Sequence, residues 1–448
     1  MPMNKKSVVN FVARALPLVL ALGGAQFLPP AAIAQTVSSL DRDRGHVMLV
    51  QIREDIRKNY FDPAYHGMDL DARFKAADDK IKAATSVGQI FGIIAQALLD
   101  LDDSHTFFIP PQRAARTDYG WQMEMMGDKC YVIAVKPGSD ADAKGLKPGD
   151  QVLAVDDHLV VRENLWKMHY LYYNLRPQPG MKVVVQSPDG QRRQLNLMAK
   201  VSTGKRRVDL TGEDENDFWN LVREAENEDR LSAHRYTVVD SVFIWKMPEF
   251  DLTDQGVDDM MAKVRKQKAL ILDLRGNPGG SVTTLTRMLG YLFDRDLKVA
   301  DAKRRKDTKP MIAKTRGDKG FKGDLVVLVD SVSASSSELF ARTIQLEKRG
   351  KVIGDHTAGA VMEALHHSHQ TGADTVVFYG ASITEADVIM PDGKSLEHAG
   401  VTRDEVLLPS AADMAAKRDP VLVRAATLVG AKLEPEKAGA MFPIEWRK

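Results

Sequence analysis

Three stretches of the chain combine residue types that could perform acyl transfer. The first is DSVSASSSELF, residues 330–340, which follows the apolar run LVVLV and precedes a segment with helical spacing. This order places serines at the C-terminal end of a strand and the start of a helix, where open backbone N–H groups and the helix dipole favour a developing negative charge. An acyl-transfer enzyme needs its nucleophile in such a place, and Ser335 is the candidate. A helix N-cap accounts for Ser333 or Ser335 equally well, and serine-rich stretches also serve as linkers.

A serine hydroxyl is a weak nucleophile until a base takes its proton. Among 11 histidines, His105 stands in DDSHTFF, a polar cluster between an apolar helix and an aromatic pair. The other cluster, HHSH with His366, His367 and His369, suggests metal, but neither HExxH nor a matching Cys/Asp set accompanies it, so no metal site is expected. In DLRGNPGGSV, residues 273–282, Gly276, Gly279 and Gly280 let the backbone turn sharply after a buried strand and expose N–H groups. It lacks the Walker lysine and GxGxxG spacing, so it reads as an oxyanion hole rather than a phosphate cradle.

The elements that must position these residues fall into zones. Leu49, Ile52, Ile56 and Tyr60, then Phe74, Ala77 and Ile81, then Ile90, Ile94 and Leu98 after an N-cap at Ser86, predict a helical unit over residues 40–114. Residues 115–200 change to short alternating runs such as CYVIAV and QVLAV, with turns at Gly145 and Gly149 and one helical stretch near ENLWKMHYLYYNL. The charged stretch 203–235 reads as a solvated helix or insertion. Beyond residue 236, apolar runs such as ALILDL and LVVLV alternate with helical spacing, as in an α/β core with strands buried on both faces, extending over residues 201–430 before a tail at 431–448. The basic stretch 303–320 reads as an exposed loop.

A net charge of +1, from 62 basic and 61 acidic residues, gives no global field toward nucleic acid or anionic membrane. Lys5, Lys6 and Arg14, the apolar ALPLVLALGGAQFLPP and the small residues Ala32 and Ala34 predict a secretory signal over residues 1–34, too short and too broken to remain as a membrane span. The expected location is the periplasm or the exterior. The single cysteine, Cys130, allows no intrachain disulfide and is expected to be a small buried strand residue.

VKPGSDADAKGLKPGDQVLAVDDHLV resembles a PDZ domain of the bacterial protease type. The resemblance implies an extended peptide end received around Tyr119, Gly120 and Trp121. ALLDLDDSHTFF, ALILDLRGNPGGSV, LVDSVSASSSELFA, KVIGDHTAG and PDGKSLEHAGV occur in the order seen in the S41 serine peptidases, the C-terminal processing and tricorn proteases. That likeness implies a spiral ββα (crotonase/ClpP-like) core with an inserted PDZ-like domain, no cofactor, and a polypeptide substrate. One branch uses a lysine base in a Thr-x-Gly-Lys pattern, where this chain has Ala360. The tricorn-like branch implies Ser335 as nucleophile, His105 as base, Ser104 and Glu397 orienting His105, and an oxyanion hole from Gly279 or Gly280 with Ser336. The expected function is an exported serine endopeptidase acting on unfolded or extended polypeptides. A catalytically inactive peptide-binding protein on the same fold is the alternative.

Overall fold

The computed structural model describes residues 37–113, 115–203, 233–372 and 376–446, so the expected signal and nearly all of the charged stretch lie outside the described residues. Helices α1 (Ser39–Asn59), α2 (Leu70–Lys82) and α3 (Val87–Leu99) start at Ser38, Asp69 and Ser86, each of which caps a free backbone N–H. Their inward faces, including Ile52, Ile56, Phe74 and Ile94, share one apolar cluster with Tyr379, Ala381 and Ile383 from a later strand. The helical unit therefore has no core of its own.

Strand β1 (Phe107–Ile109) follows. β2 (Ala115–Asp118) and β9 (Lys200–Thr203) pair side by side, so the chain enters and leaves the next module at one place. Between them run β3 (Trp121–Met126), β4 (Lys129–Val135), helix α4 (Asp140–Ala143), β5 (Gln151–Val155), β6 (His158–Leu159), helix α5 (Arg162–His169), β7 (Gly180–Gln186) and β8 (Arg192–Met198). Their sheet has the order β3-β4-β5-β7-β8, which leaves β3 at an edge.

Ten further strands follow: β10 (Arg235–Val239), β11 (Val242–Lys246), β12 (Ala269–Asp273), β13 (Leu297–Arg304), β14 (Thr308–Ala313), β15 (Asp324–Val329), β16 (Lys351–Gly354), β17 (Met362–Thr371), β18 (Val377–Ile389) and β19 (Glu405–Val406). One sheet, β10-β11-β12-β15-β16-β19, is parallel from β11 onward. Its two faces pack into separate apolar clusters, one holding Leu272 and Val327, the other Ile271 and Val326. Burial on both sides is why ALIL and LVVLV are apolar throughout. The second sheet is antiparallel, β1-β18-β13-β14 with β17 on β18.

One expectation is corrected here. The basic stretch 303–320 is largely a hairpin rather than a loop: Lys303 pairs with Thr308, and Met311 and Ala313 of β14 are buried. Alternation in KPMIA satisfies the core on one face while lysines and arginines occupy the turn. The HHSH stretch is part of β17, whose alternation divides the histidines between faces. His369 pairs with Asp55 at 2.5 Å and His367 approaches Glu385 at 3.6 Å, whereas His366 lies against Phe107 on the opposite face.

Candidate active site

The site is assembled where β12, β15 and β16 end. These three neighbouring parallel strands lead into loops 274–281, 330–335 and 355–361. Carboxyl ends of parallel strands are the usual place for sites in α/β sheets.

The first loop is anchored below by a buried ion cluster. Arg275 holds Asp273 at 2.8 Å and Asp419 at 2.7 Å, and Lys246 adds a contact to Asp273 at 3.3 Å. Asn277, fully buried, donates to the Met247 carbonyl at 3.0 Å and accepts the Gly279 N–H at 2.8 Å. Gly279 (φ +107°) and Gly280 (φ +128°) adopt backbone conformations that side chains rarely tolerate. A Cβ on Gly279 would sit 2.7 Å from the Ser335 Cβ, which shows how closely the glycine loop approaches that serine.

Each serine of the second loop has a separate task. Ser331 Oγ donates to the Met125 carbonyl at 2.8 Å, Ser333 Oγ to that of Leu274 at 2.9 Å, Ser336 Oγ to that of Gly280 at 2.9 Å and Ser337 Oγ to that of Asn277 at 3.0 Å. Ser335 differs. It occupies the N-cap position of the helix Ser336–Leu346, yet its hydroxyl makes no capping hydrogen bond, and its backbone sits at φ 52°, ψ −117°. Such a conformation costs about 1–3 kcal/mol and persists only where surrounding contacts impose it.

Those contacts converge on Ala360 and Glu338. The Ser335 N–H donates to the Ala360 carbonyl at 2.8 Å. Glu338 accepts from Thr357 Oγ at 2.6 Å, from the Gly359 and Ala360 N–H groups at 2.9 Å each, and from the Ser335 N–H at 3.2 Å. Burial pushes this carboxyl up to about 7 against the pull of those donors.

The third group hangs from the same loop. Ala360 C=O and Val361 N–H belong to one peptide unit, and its N–H donates to Glu397 Oε2 at 2.8 Å. Glu397 also accepts from the Ser104 N–H at 2.7 Å and from Ser104 Oγ at 2.9 Å. Ser104 Oγ in turn lies 2.7 Å from His105 Nδ1. A single peptide unit thus joins the backbone of Ser335 to the Glu397–Ser104–His105 chain. Asp103 secures the turn beneath His105, accepting the N–H groups of His105 at 2.9 Å and Thr106 at 2.7 Å. Burial lowers the His105 pKa, Asp103 opposes that shift, and His366 adds to it.

A family model for peptidase family S41 matches residues 242–407, and one for the PDZ domain matches residues 117–198. The S41 match spans the segment that holds all three loops of the site. It is 27% identical to the tail-specific protease of Haemophilus influenzae over 296 residues, 61% of this chain but only 39% of that protein. It is 22% identical to the carboxy-terminal processing protease CtpA of Bacillus subtilis over 356 residues, 78% of this chain and 68% of that one. Among solved structures, mature CPAF shares the fold with a TM-score of 0.62 and 15% identity over 84% of this chain and 95% of that chain. The photosystem II D1 C-terminal processing protease gives 0.50 at 18% identity, over 90% of this chain and 100% of that chain.

In this chain, Ser335, Ser104, His105 and Glu397 lie in one network, with Gly279 and Ser336 against Ser335. Among the described residues no hydrogen bond joins His105 to Ser335, and none takes up the Gly280 or Ser336 N–H. The PDZ residues are placed differently from one another. Tyr119 is buried, and its hydroxyl binds the Gln178 backbone at 3.0 and 3.1 Å. Gly120 (φ +72°) borders a cavity of about 310 Å³ lined also by Asp118, Lys136, Ser139 and Lys200, and Trp121 opens the edge strand β3. Sequence reasoning missed Glu338 and Asn277. The Ser-x-x-Glu spacing from Ser335 to Glu338, a capping-box pattern, was the available signal for the first. Nothing in the sequence marked the second.

Proposed function

We propose that this chain is a serine endopeptidase that uses a histidine base, exported from the cell and acting on unfolded or extended polypeptide. The observation that carries this reading is the Ala360–Val361 peptide, which ties the backbone of Ser335 to Glu397 and, through Ser104, to His105. Ser335 attacks the scissile carbonyl while His105 Nε2 takes its proton and later returns it to the leaving amine. The missing hydrogen bond between the two is consistent with a site completed by substrate, because such bonds tighten in the reacting complex. The oxyanion would be held by the N–H groups of Ser336, at the open helix terminus, and Gly280. Gly279 is the weaker candidate, since its N–H already serves Asn277.

The PDZ domain would take a peptide end along the start of the edge strand β3, beside Gly120. Export rests on residues 1–34 of the sequence. Among the described residues no helix is long and apolar enough to cross a membrane. Mass spectrometry of a disordered protein incubated with the wild-type chain, Ser335→Ala and His105→Ala tests the reading. New fragments are expected with the wild type alone. Fragments from His105→Ala at the wild-type rate would refute the histidine mechanism. An intact substrate in every reaction, beside measurable peptide binding, would favour the inactive scaffold that Ala360 in the lysine position brings to mind.

A further inference from the structure

The PDZ domain is bonded to the strand ends that carry the site. At β15, Ser331 Oγ donates to the Met125 carbonyl of β3 at 2.8 Å. At β16, Asp355 accepts the Gly127 N–H at 2.9 Å and Arg162 Nη2 at 2.8 Å, and Arg162 also reaches the carbonyls of Gly127 at 2.7 Å and His356 at 3.2 Å. Between these clamps the side chain of Glu124, on β3, is buried and hydrogen-bonded to Asp330.

Two carboxyls in dry contact share a proton, because both cannot be charged. Asp330 Oδ1 already accepts from the N–H groups of Val332 and Ser333 at 3.0 Å each. With Asp330 Oδ1 occupied by these donors, the hydrogen between the two carboxyls is placed on Glu124, whose Oε1 has no partner among the described residues. The other charged groups that face the pair do not replace the proton. Lys246 from β11 and Arg275 after β12 lower the Glu124 pKa, but both are held by Asp273, and Arg275 also by Asp419. Cys130 on β4 is a neutral neighbour whose thiol burial, with help from Glu124, pushes up to about 12. Burial leads the causes that raise Glu124 well above the usual carboxyl range, and Asp330 adds to it.

We propose that Glu124 is a positioning residue for Ser335: its protonated carboxyl donates to Asp330 and holds the turn 330–335 in the geometry that aims the serine. This rests on Ser335 being the nucleophile. The protonated form is the competent one, so the contact is present below the raised pKa and is lost as pH rises through it. Deprotonation would set two carboxylates against each other at the base of the serine turn. The PDZ domain would then be part of the active site as well as a peptide receiver.

The test measures the rate at which a fluorophosphonate probe labels Ser335 in the full chain from about pH 5 to about pH 10, with a kcat and KM split on a fluorogenic peptide alongside. In the wild type, labelling should fall about tenfold per pH unit above the Glu124 pKa. Glu124→Gln keeps a donor at every pH and should retain the neutral-pH rate while losing the alkaline fall. Glu124→Ala should lose about tenfold to a hundredfold at all pH values, in kcat rather than KM. The same alkaline fall in wild type and Glu124→Gln overturns the role of Glu124. So does a wild-type rate that stays flat to alkaline pH, a result that needs no variant to fold. A wild type that never labels overturns the assignment of Ser335, and this inference with it.

Discussion

Replacing Glu397 with glutamine should disrupt the relay that fixes the tautomer and orientation of His105. Glu397 accepts at both oxygens: Oε1 from the Ser104 N–H at 2.7 Å, Oε2 from Ser104 Oγ at 2.9 Å and the Val361 N–H at 2.8 Å. The one hydroxyl proton of Ser104 is spent on that carboxylate. Ser104 Oγ must therefore accept from His105 Nδ1–H across their 2.7 Å contact, which leaves the Nε2 lone pair to act as base. A glutamine has to turn its NH₂ toward one set of donors. Placed at Oε1 it meets the Ser104 N–H; placed at Oε2 it meets the Val361 N–H and donates to Ser104 Oγ. In the second arrangement the serine proton turns to Nδ1, and the imidazole proton moves to Nε2. Either way a donor faces a donor in a buried site, at a cost of about 1–3 kcal/mol. A base in the wrong tautomer or orientation costs on the order of a hundred- to ten-thousand-fold in rate. Initial rates on a fluorogenic peptide, measured on the alkaline side of neutrality, should show that loss in kcat with KM little changed, because Glu397 does not touch substrate in this scheme. A kcat for Glu397→Gln within about threefold of wild type, at an unchanged melting temperature, would refute the relay.

Four further outcomes are expected. Ser335→Ala and Ser335→Gly should both abolish turnover, and thermal melts should show the glycine variant more stable by about 1 kcal/mol, because glycine relieves the strain at φ 52°. Gly279→Ala should push its new Cβ to 2.7 Å from the Ser335 Cβ at φ +107°, lowering stability in denaturant unfolding by about 2–6 kcal/mol and kcat by roughly a hundredfold. Glu338 keeps its proton to about 7 in the fold against 4.5 unfolded, so its contribution to stability falls as pH rises between those values, by about 3 kcal/mol. Unfolding free energies at about pH 4.5 and about pH 8 should show that slope reduced in Glu338→Gln. Ala360→Lys should not raise turnover, since the Ala360 peptide is already engaged by Ser335 and Glu338, and a rate gain would point to a lysine base.

Local chemistry made much of this protein legible. The helical unit was readable because apolar residues recur at helical spacing, the last run behind the cap Ser86. The parallel strands were readable because burial on both faces leaves an unbroken apolar run. The hairpin β13–β14 and the strand β17 were not, because half of each alternating pattern is polar and the charged half looks like a loop. Ser335 stood out by its place between LVVLV and a helix, while Glu338 was hidden as one more helix residue.

By itself, the sequence determined the order of elements, the nucleophile candidate at a strand end and the glycines that let a backbone approach it. It also set Ala360 at the position where the resemblance implies a lysine base in the other branch. Only the tertiary structure decided how residues 293 positions apart, Ser104 and Glu397, share a hydrogen bond, because β1 joins the sheet by pairing with β18. It likewise decided that Gly279 N–H is committed to Asn277 and that Glu124 of the PDZ domain lies against Asp330. The physical reason is that capping, periodicity and turns act over a few residues and are written locally. A hydrogen bond across the fold depends on sheet order and burial, which many sequences share and no short stretch encodes.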